Sequence, residues 1–456
     1  MIQLKKAILL YLSCALGLVL ISGCGGSSNE IPLPNGFLYS GNSARPGSMA
    51  AFTVTTGSLG HITNSPFATT ANNAPNAPYS LAAWPPPQPA PAAAVTTKFL
   101  YGGIPASPEG GVITRVLGRQ LVGNVTGGIL MMPINTSDHT LGTAQMFATG
   151  SDDFDPIAVT PSPGNFLYAI DLTTSNLLAF SINSSTGALG AIGPAAGVPV
   201  GPDPFYVAVD PQGKFVFVAN CNCVPSPGST GSVQVFSING DGTLTSVGTF
   251  VPGGAASGAQ PIALALSPDS MFLFIASLDN KVYVESVTNG ALADQGNAAL
   301  PAGSMPLAIA ISDDIGVNNA DVSQALGSYV YTGNAATHSL SFFINCVETN
   351  ANTATPCMGV VGPLGVPIMN SSIPFTGTVG AMLADPTNPL PTTPNTAVAA
   401  GFVYVTDYDH GVVESFSITS TEECIGVLNC IPGTLTASGA SGNTGGVNPF
   451  GLAIAH

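Results

Sequence analysis

One short pattern returns along the whole chain and limits what it can fold into. An aromatic residue opens a run of alternating β-formers that ends on a small or amide side chain. It reads FLYSGN at Phe37–Asn42, FLYAID at Phe166–Asp171, FVFVAN at Phe215–Asn220, FLFIAS at Phe272–Ser277, YVYTGN at Tyr329–Asn334 and FVYVTD at Phe402–Asp407. KFLYGG at Lys98–Gly103 is a shorter relative. A second run follows each: AAFTV, LAFSI, VQVFSI, LSFFI or VESFSI. A tight turn of the type Thr186-Gly187-Ala188-Leu189 or Asp241-Gly242-Thr243-Leu244 comes next, with degenerate forms at Asp138–Leu141 and Gly362–Gly365. Alternation of period two between Gly, Pro, Asn and Asp clusters is the signature of strands.

The stretch Pro204–Leu244 shows one full unit. Phe205–Val209, Phe215–Ala219 and Ser232–Ile238 read as three strands, and a fourth begins near Thr243. A lone four-stranded meander cannot bury both faces, so it needs neighbours. Seven such units, spaced by roughly 40–50 residues, predict an all-β, seven-bladed β-propeller of four-stranded antiparallel blades. Asn448-Pro449-Phe450-Gly451-Leu452-Ala453-Ile454 is a first-strand motif with no second strand after it. The unit at Phe37 has a second strand and no first strand before it. The C-terminal strand is therefore expected to complete the N-terminal blade, which removes the open edges. The predicted ring spans residues 37–456, and length alone does not divide it.

Charge narrows the partners. The 456 residues carry 24 Asp+Glu against 8 Lys+Arg, a formal net charge of −16. With Lys5 and Lys6 in a leader, the rest of the chain holds only Arg45, Lys98, Arg115, Arg119, Lys214 and Lys281. Nucleic-acid binding needs a phosphate-neutralising patch, which this set cannot build. A polyphosphate or strongly anionic substrate is disfavoured for the same reason.

Residues 1–23 read as a secretory leader: two lysines, then the apolar run Ala7–Ile21, then small residues. Ile21-Ser22-Gly23-Cys24 resembles a bacterial lipobox. That resemblance implies acylation of Cys24, which would anchor the chain stably through several acyl chains. Gly25, rather than Asp, follows the cysteine, so the resemblance implies the outer membrane. Residues 24–36 form a Gly/Ser/Pro tether. In such an oxidising compartment, cysteines pair. Cys346 with Cys357, and Cys424 with Cys430, each flank an insertion and are expected to staple their own hairpin, contributing about 2–3 kcal/mol. Cys221-Asn222-Cys223 has a one-residue spacer, which leaves either a labile disulfide or two thiols.

In a meander, the loops before the first strand and after the second share one face. Residues just before each first strand, Asp155, Asp203, Gln260 and Asn448, are expected around the axial mouth on that face. Arg115 and Arg119 rise from a loop on the same side, where they would clamp a carboxylate if helical. A ring of carboxylates and amides suits hydrogen bonds to a sugar, or a hard cation such as Ca²⁺ held by Asp155 and Asp203. The plainer reading is that Asx side chains cap turns, most of all for the outer set Asn42, Asp171, Asn220, Asn334 and Asp407. Of the five histidines, His338 and His410 hold equivalent turn positions and are the weak candidates for a general base.

The repeat P-x-x-V-x-V-x-P-x-G-K-F-V-Y-V-x-N…V-x-V-F-x-I…G-T-L resembles the YVTN-type repeat of the lactonase family of seven-bladed propellers. Tyr404-Val405-Thr406-Asp407 is nearly the namesake tetrapeptide, and Asp210–Lys214 and Gly242-Thr243-Leu244 match its turns. The family includes 6-phosphogluconolactonase-like and muconate-lactonising enzymes, which use Arg and His around the axial mouth. This chain has no arginine after Arg119, so no catalytic residue is carried over. The resemblance specifies fold more than activity. The chain is expected to be a monomeric, envelope-anchored binding module for a protein or glycan at its axial face. The alternative is a hydrolase of a neutral lactone, with or without a metal.

Overall fold

A computed structural model describes residues 36–43, 47–55, 57–70, 78–86, 97–105, 127–147, 154–161, 164–223, 229–312, 327–346, 368–385, 401–419, 434–446 and 448–455. These residues form seven antiparallel sheets. Blade four is the unit read above: Pro204–Val209, Phe215–Asn220, Ser232–Ile238 and Leu244–Phe250. Blades two, three, five, six and seven follow the same in-to-out meander, starting at Ser80, Phe154, Pro261, Pro306 and Val379. Blade one is closed by the two ends of the chain. Pro449–Ala455 pairs antiparallel with Gly36–Asn42, placing Leu38 opposite Ile454 and Tyr39 opposite Ala453. The first strands of neighbouring blades touch in an unbroken cycle, with the C-terminal strand between those of blades seven and two. Among the described residues no helix is long and apolar enough to cross a membrane.

The core lies between blades rather than within one. Seven apolar clusters each join one blade to the next. Trp84, Phe99 and Tyr101 of blade two meet Phe154, Leu167 and Phe180 of blade three. Leu38 and Phe52 of blade one meet Phe402, Tyr404 and Val413 of blade seven. Period-two alternation gives each sheet two oily faces, and radial stacking buries both.

The repeated aromatic pattern has a specific use. In the described third-to-fourth turns a residue adopts positive φ, as Gly187 at 73° and Gly242 at 84°. The aromatic residue that opens the second strand of the preceding blade lies over it, Phe99 over Gly187 and Phe166 over Gly242. A tyrosine two residues later donates to that turn's carbonyl: Tyr101 to Gly187 at 2.8 Å, and Tyr168 to Gly242 at 3.0 Å. In blade two His139 takes the glycine's place, with φ of 57°. Phe37 stacks on its ring and Tyr39 donates to its carbonyl at 3.1 Å. In blades one, two and three the F-x-Y spacing is thus a clasp to the next blade. Blade four keeps only the ring, with Phe215 over Gly290 and a phenylalanine at position 217.

At the other hairpin, in blades three, four and five, the residue after the first strand caps the second. Asp210 accepts from the backbone N–H groups of Lys214 and Phe215, at 2.6 and 2.7 Å. Ser267 accepts from Phe272 at 2.9 Å, and Thr160 from Phe166 at 3.0 Å.

One carboxyl is buried against this pattern. Glu285, on the third strand of blade five, is 4% exposed, and its Oε1 has no partner. Burial, then the nearby Asp294 carboxylate, pushes it up to about 7 against a hydrogen bond from the Gly253 backbone.

Two outcomes are expected. In Gly187→Ala the new Cβ would sit 2.6 Å from the Phe99 ring at a φ that L-residues resist, so it should lower stability by about 1–3 kcal/mol. Tyr168→Phe should cost about 1 kcal/mol. Gly240→Ala, with nothing within 4 Å of its Cβ, should be near neutral; denaturant midpoints compare the three. Second, Glu285 holds its proton more tightly when folded. Stability should therefore fall as pH rises from about 4.5 to about 7, by up to about 3 kcal/mol. Glu285→Gln should flatten that slope in urea melts.

Candidate functional site

The first strands crowd the ring axis with small residues, Ala158, Ala208, Ala263, Ala308 and Ala453, and their N-terminal halves line a cavity of about 130 Å³. Every blade contributes to it. The apolar lining includes Phe205, Ile262, Leu307, Ile309, Met382 and Phe450. The side chains with polar atoms are Tyr79, Ser80, Asp155 and Tyr206. Three of these four sit on the sector formed by blades two and three.

One backbone feature places that polar sector. Gly103, in the second strand of blade two, faces it without a side chain. A Cβ there would lie 2.6 Å from Ser80 Oγ, 2.7 Å from the Phe154 carbonyl and 3.5 Å from Asp155 Cα. The glycine therefore lets the Ser80 hydroxyl and the Asp155 backbone come close together. Ser80 Oγ is buried and has no hydrogen-bond partner in the protein. Asp155 is 3% exposed. Burial raises the Tyr206 phenol above its ordinary value, so it stays a neutral donor at the cavity wall.

Of the residues expected at the axial mouth, Asp155 lines the cavity and Asp203, Gln260 and Asn448 do not. Asp203 and Asn448 adopt positive φ, 48° and 59°. Their carbonyls, and that of Gln260, clip the residue after the second strand. Cys221 donates to Asp203 at 2.9 Å, Ser43 to Asn448 at 3.0 Å and Leu278 to Gln260 at 3.1 Å. The outer set is buried in turn contacts: Asn42 bonds Ser48, Asp171 bonds Thr173 and Thr174, and Asn334 bonds Ser339 and Ser341. Asn220 is buried too, and neither side-chain atom finds a partner. Among the described residues no group of three His, Cys, Asp or Glu is placed to hold a metal.

His338 and His410 lie away from the cavity lining. His338 Nδ1 is 2.8 Å from the Gly377 carbonyl. His410 Nδ1 is 2.7 Å from Oδ2 of the fully buried Asp407 carboxylate, while the ring itself is 58% exposed. The hydrogen bond and charge of Asp407 raise the imidazole above 6.5. Cys221 and Cys223 form a disulfide. It packs with Phe205, Ile262 and Leu307, and so backs the apolar wall of the cavity. Cys346 ends a strand. The leader, Cys24, Arg115, Arg119, Cys357, Cys424 and Cys430 lie outside the described residues.

The lining residues Tyr79, Ser80 and Tyr206 were not singled out by the repeat. They lie further along their strands than the mouth positions, Tyr206 three residues after Asp203. The signal is the alternation of the first strands, but bulges at their starts, as between Pro204 and Tyr206 or Pro306 and Ala308, shift which residues face the axis.

Residues 119–334 match the model of the family described as lactonase, seven-bladed β-propeller. No curated protein matches the chain. Among solved structures, a protein from Lactobacillus plantarum superposes with a TM-score of 0.55 at 14% identity, over 92% of this chain and 99% of that one. A candidate 6-phosphogluconolactonase from Bacteroides uniformis gives 0.55 at 15%, over 92% and 99%. The periplasmic gluconolactonase PpgL of Pseudomonas aeruginosa gives 0.52 at 14%, over 92% and 99%. At these identities the structural likenesses show the fold. The resemblance to the lactonase family carried by the repeats is borne out.

The pair on blade seven makes its own test. His410 should titrate above 6.5 by NMR, and Asp407→Asn should bring it down. The stability from the pair is present at low pH and is lost as pH rises through the folded-state pKa of His410.

Proposed function

We propose that this lactonase-like seven-bladed propeller is a lactone hydrolase whose substrate is neutral and occupies the axial cavity. The observation that carries the reading is an axial cavity whose wall, among the described residues, holds a single carboxylate, Asp155. The lactonase family match over 119–334 supports hydrolysis over the protein- or glycan-binding role. Two structural neighbours carry gluconolactonase names, which agrees with that choice.

The chemistry asks little of the chain. The Asp155 carboxylate takes a proton from a water molecule, and the water oxygen bonds to the lactone carbonyl carbon. Charge builds on the carbonyl oxygen, which a hydrogen-bond donor at the cavity wall stabilises. The ring C–O bond then breaks, and the leaving alkoxide recovers the proton from Asp155. The product is a hydroxy acid. Phe205, Ile262 and Leu307 keep bulk water from the opposite wall and strengthen these electrostatic contacts. Among the described residues no lysine, arginine or histidine lines the cavity, which favours a neutral lactone.

The reading includes the address. Acylation at Cys24 would hold a monomeric ring at the envelope surface, on a tether of residues 24–36. It follows that Cys24→Ser should move the protein from the membrane fraction to the soluble one. For the chemistry, full-length protein should open neutral lactones in a pH-stat assay. Asp155→Asn should lower kcat by about 10²–10⁴-fold with an unchanged melting midpoint. Wild-type protein inert toward all neutral lactones, or full activity in Asp155→Asn, would overturn the assignment.

A further inference from the structure

Among the described residues, three that line the axial cavity carry hydroxyls: Tyr79, Ser80 and Tyr206. A ligand can use only a hydroxyl that it can reach. Tyr79 is 3% exposed and already engaged within the protein. Ser80 Oγ is sealed off and lies against Gly103 of the neighbouring strand. Tyr206 is only part-buried, although first strands surround it on the axis. Its open surface therefore faces the axial cavity that it lines.

The repeat marks this side chain as an exception. Tyr206 pairs with Ala219, the last residue but one of its second strand. The same register position holds Gly451 in blade one, Ser80 in blade two, Ala263 in blade five and Ala308 in blade six. First strands crowd the axis, so a small residue is what packing asks for there. Tyr206 breaks that rule. Its ring packs into the cluster between blades four and five and also into the one between blades five and six. It thus passes over Ala263, whose small side chain leaves it room. A bulge between Pro204 and Tyr206 turns the side chain to the axis.

The hydroxyl at its tip is available. Burial alone raises the phenol, with no hydrogen bond or charge contributing. A polar group in that state is completed by water or by a ligand acceptor. The strand of Tyr206 also touches the strand of Asp155 in the neighbouring blade. A carbonyl held between the two would have water activated on one side and a donor on the other.

We infer that Tyr206 donates a hydrogen bond to the carbonyl oxygen of the ligand in the axial cavity, and that this bond stabilises the oxyanion formed when water adds. No proton is transferred at this residue. The phenol keeps its hydrogen, and the hydrogen bond strengthens as the water oxygen bonds to the carbonyl carbon and charge moves onto the carbonyl oxygen. The oxyanion role rests on the hydrolase reading above; the contact rests on the geometry of Tyr206 alone.

A six-membered ring suits the test, because about 130 Å³ is close to the ~150 Å³ cavity that admits benzene. The binding probe is 2-piperidone, an inert lactam with the shape of δ-valerolactone, titrated into the full chain with its carbonyl isotope-labelled. It should bind saturably, and Tyr206→Phe should weaken it about tenfold at an unchanged melting midpoint. The bound carbonyl should absorb at lower infrared wavenumber in the wild type than in Tyr206→Phe. In Tyr206→3-fluorotyrosine, whose phenol is the stronger donor, it should absorb lower still. A space-filling role for the ring would move neither band. In turnover of δ-valerolactone, Tyr206→Phe should lower kcat about 10²-fold. Lactam binding that depends on the hydroxyl, with no lactone opened by the wild type, would uphold the contact and overturn the hydrolase reading. Lactone opened equally fast by the wild type and Tyr206→Phe would overturn the inference and leave the hydrolase reading standing. No lactam binding, or a carbonyl band unmoved in both variants, would overturn the inference whether or not lactones are opened.

Discussion

The pairing of Gly36–Asn42 with Pro449–Ala455 is the constraint on which the rest depends. It joins residues about as far apart in sequence as the chain allows, so its loop-closure entropy is the largest in the fold. What repays it is distributed around the circle. Without that pairing, blade one would lose its innermost strand and blades seven and two would each lose a neighbour. The axial cavity depends on the same contact, because Phe450, Gly451 and Leu452 form its blade-one wall.

Closure alone does not set the spacing of the blades. The clasps do, and they use cheap parts: a glycine or an equivalent residue at positive φ, an aromatic ring over it, and a phenol two residues on. Tyr101, Tyr168 and Tyr39 each spend their hydroxyl on the next blade's turn. Those three interfaces therefore have an oily interior and a polar latch at one face of the ring. Blade four, with Phe217, departs from them, and so does Tyr404. Its hydroxyl is buried and unpartnered at the junction of blades seven and one, where the closing strand adds its own hydrogen bonds.

Much of this was legible in the amino-acid order. Strand spans on blade four agree with the alternation to within a residue or two, because period two has no rival where Gly, Pro and Asp bound every run. The closing strand was legible because Pro449–Ile454 is a first-strand motif left over at the end. The site was less so. Asp155 was found, but Asp203, Gln260 and Asn448 share its position before or beside a proline and use their carbonyls as clips instead. A positive φ and a one-residue bulge decide which side chain reaches the axis, and neither leaves a mark in hydrophobic alternation. Ser80 could not be singled out, because only the fold sets it opposite Gly103 on the neighbouring strand.

Function then follows from what the axis contains. A charge-poor chain has built a small cavity with one carboxylate, and its apolar wall is backed by the Cys221–Cys223 disulfide. Everything said of that cavity presupposes a closed ring. The most direct measurement is native-state hydrogen exchange by mass spectrometry on peptides covering residues 36–42 and 449–455. The account predicts that both peptides exchange together, and only with global unfolding. Rapid exchange of the C-terminal peptide as a free tail, while the blade-four strands stay protected, would contradict it.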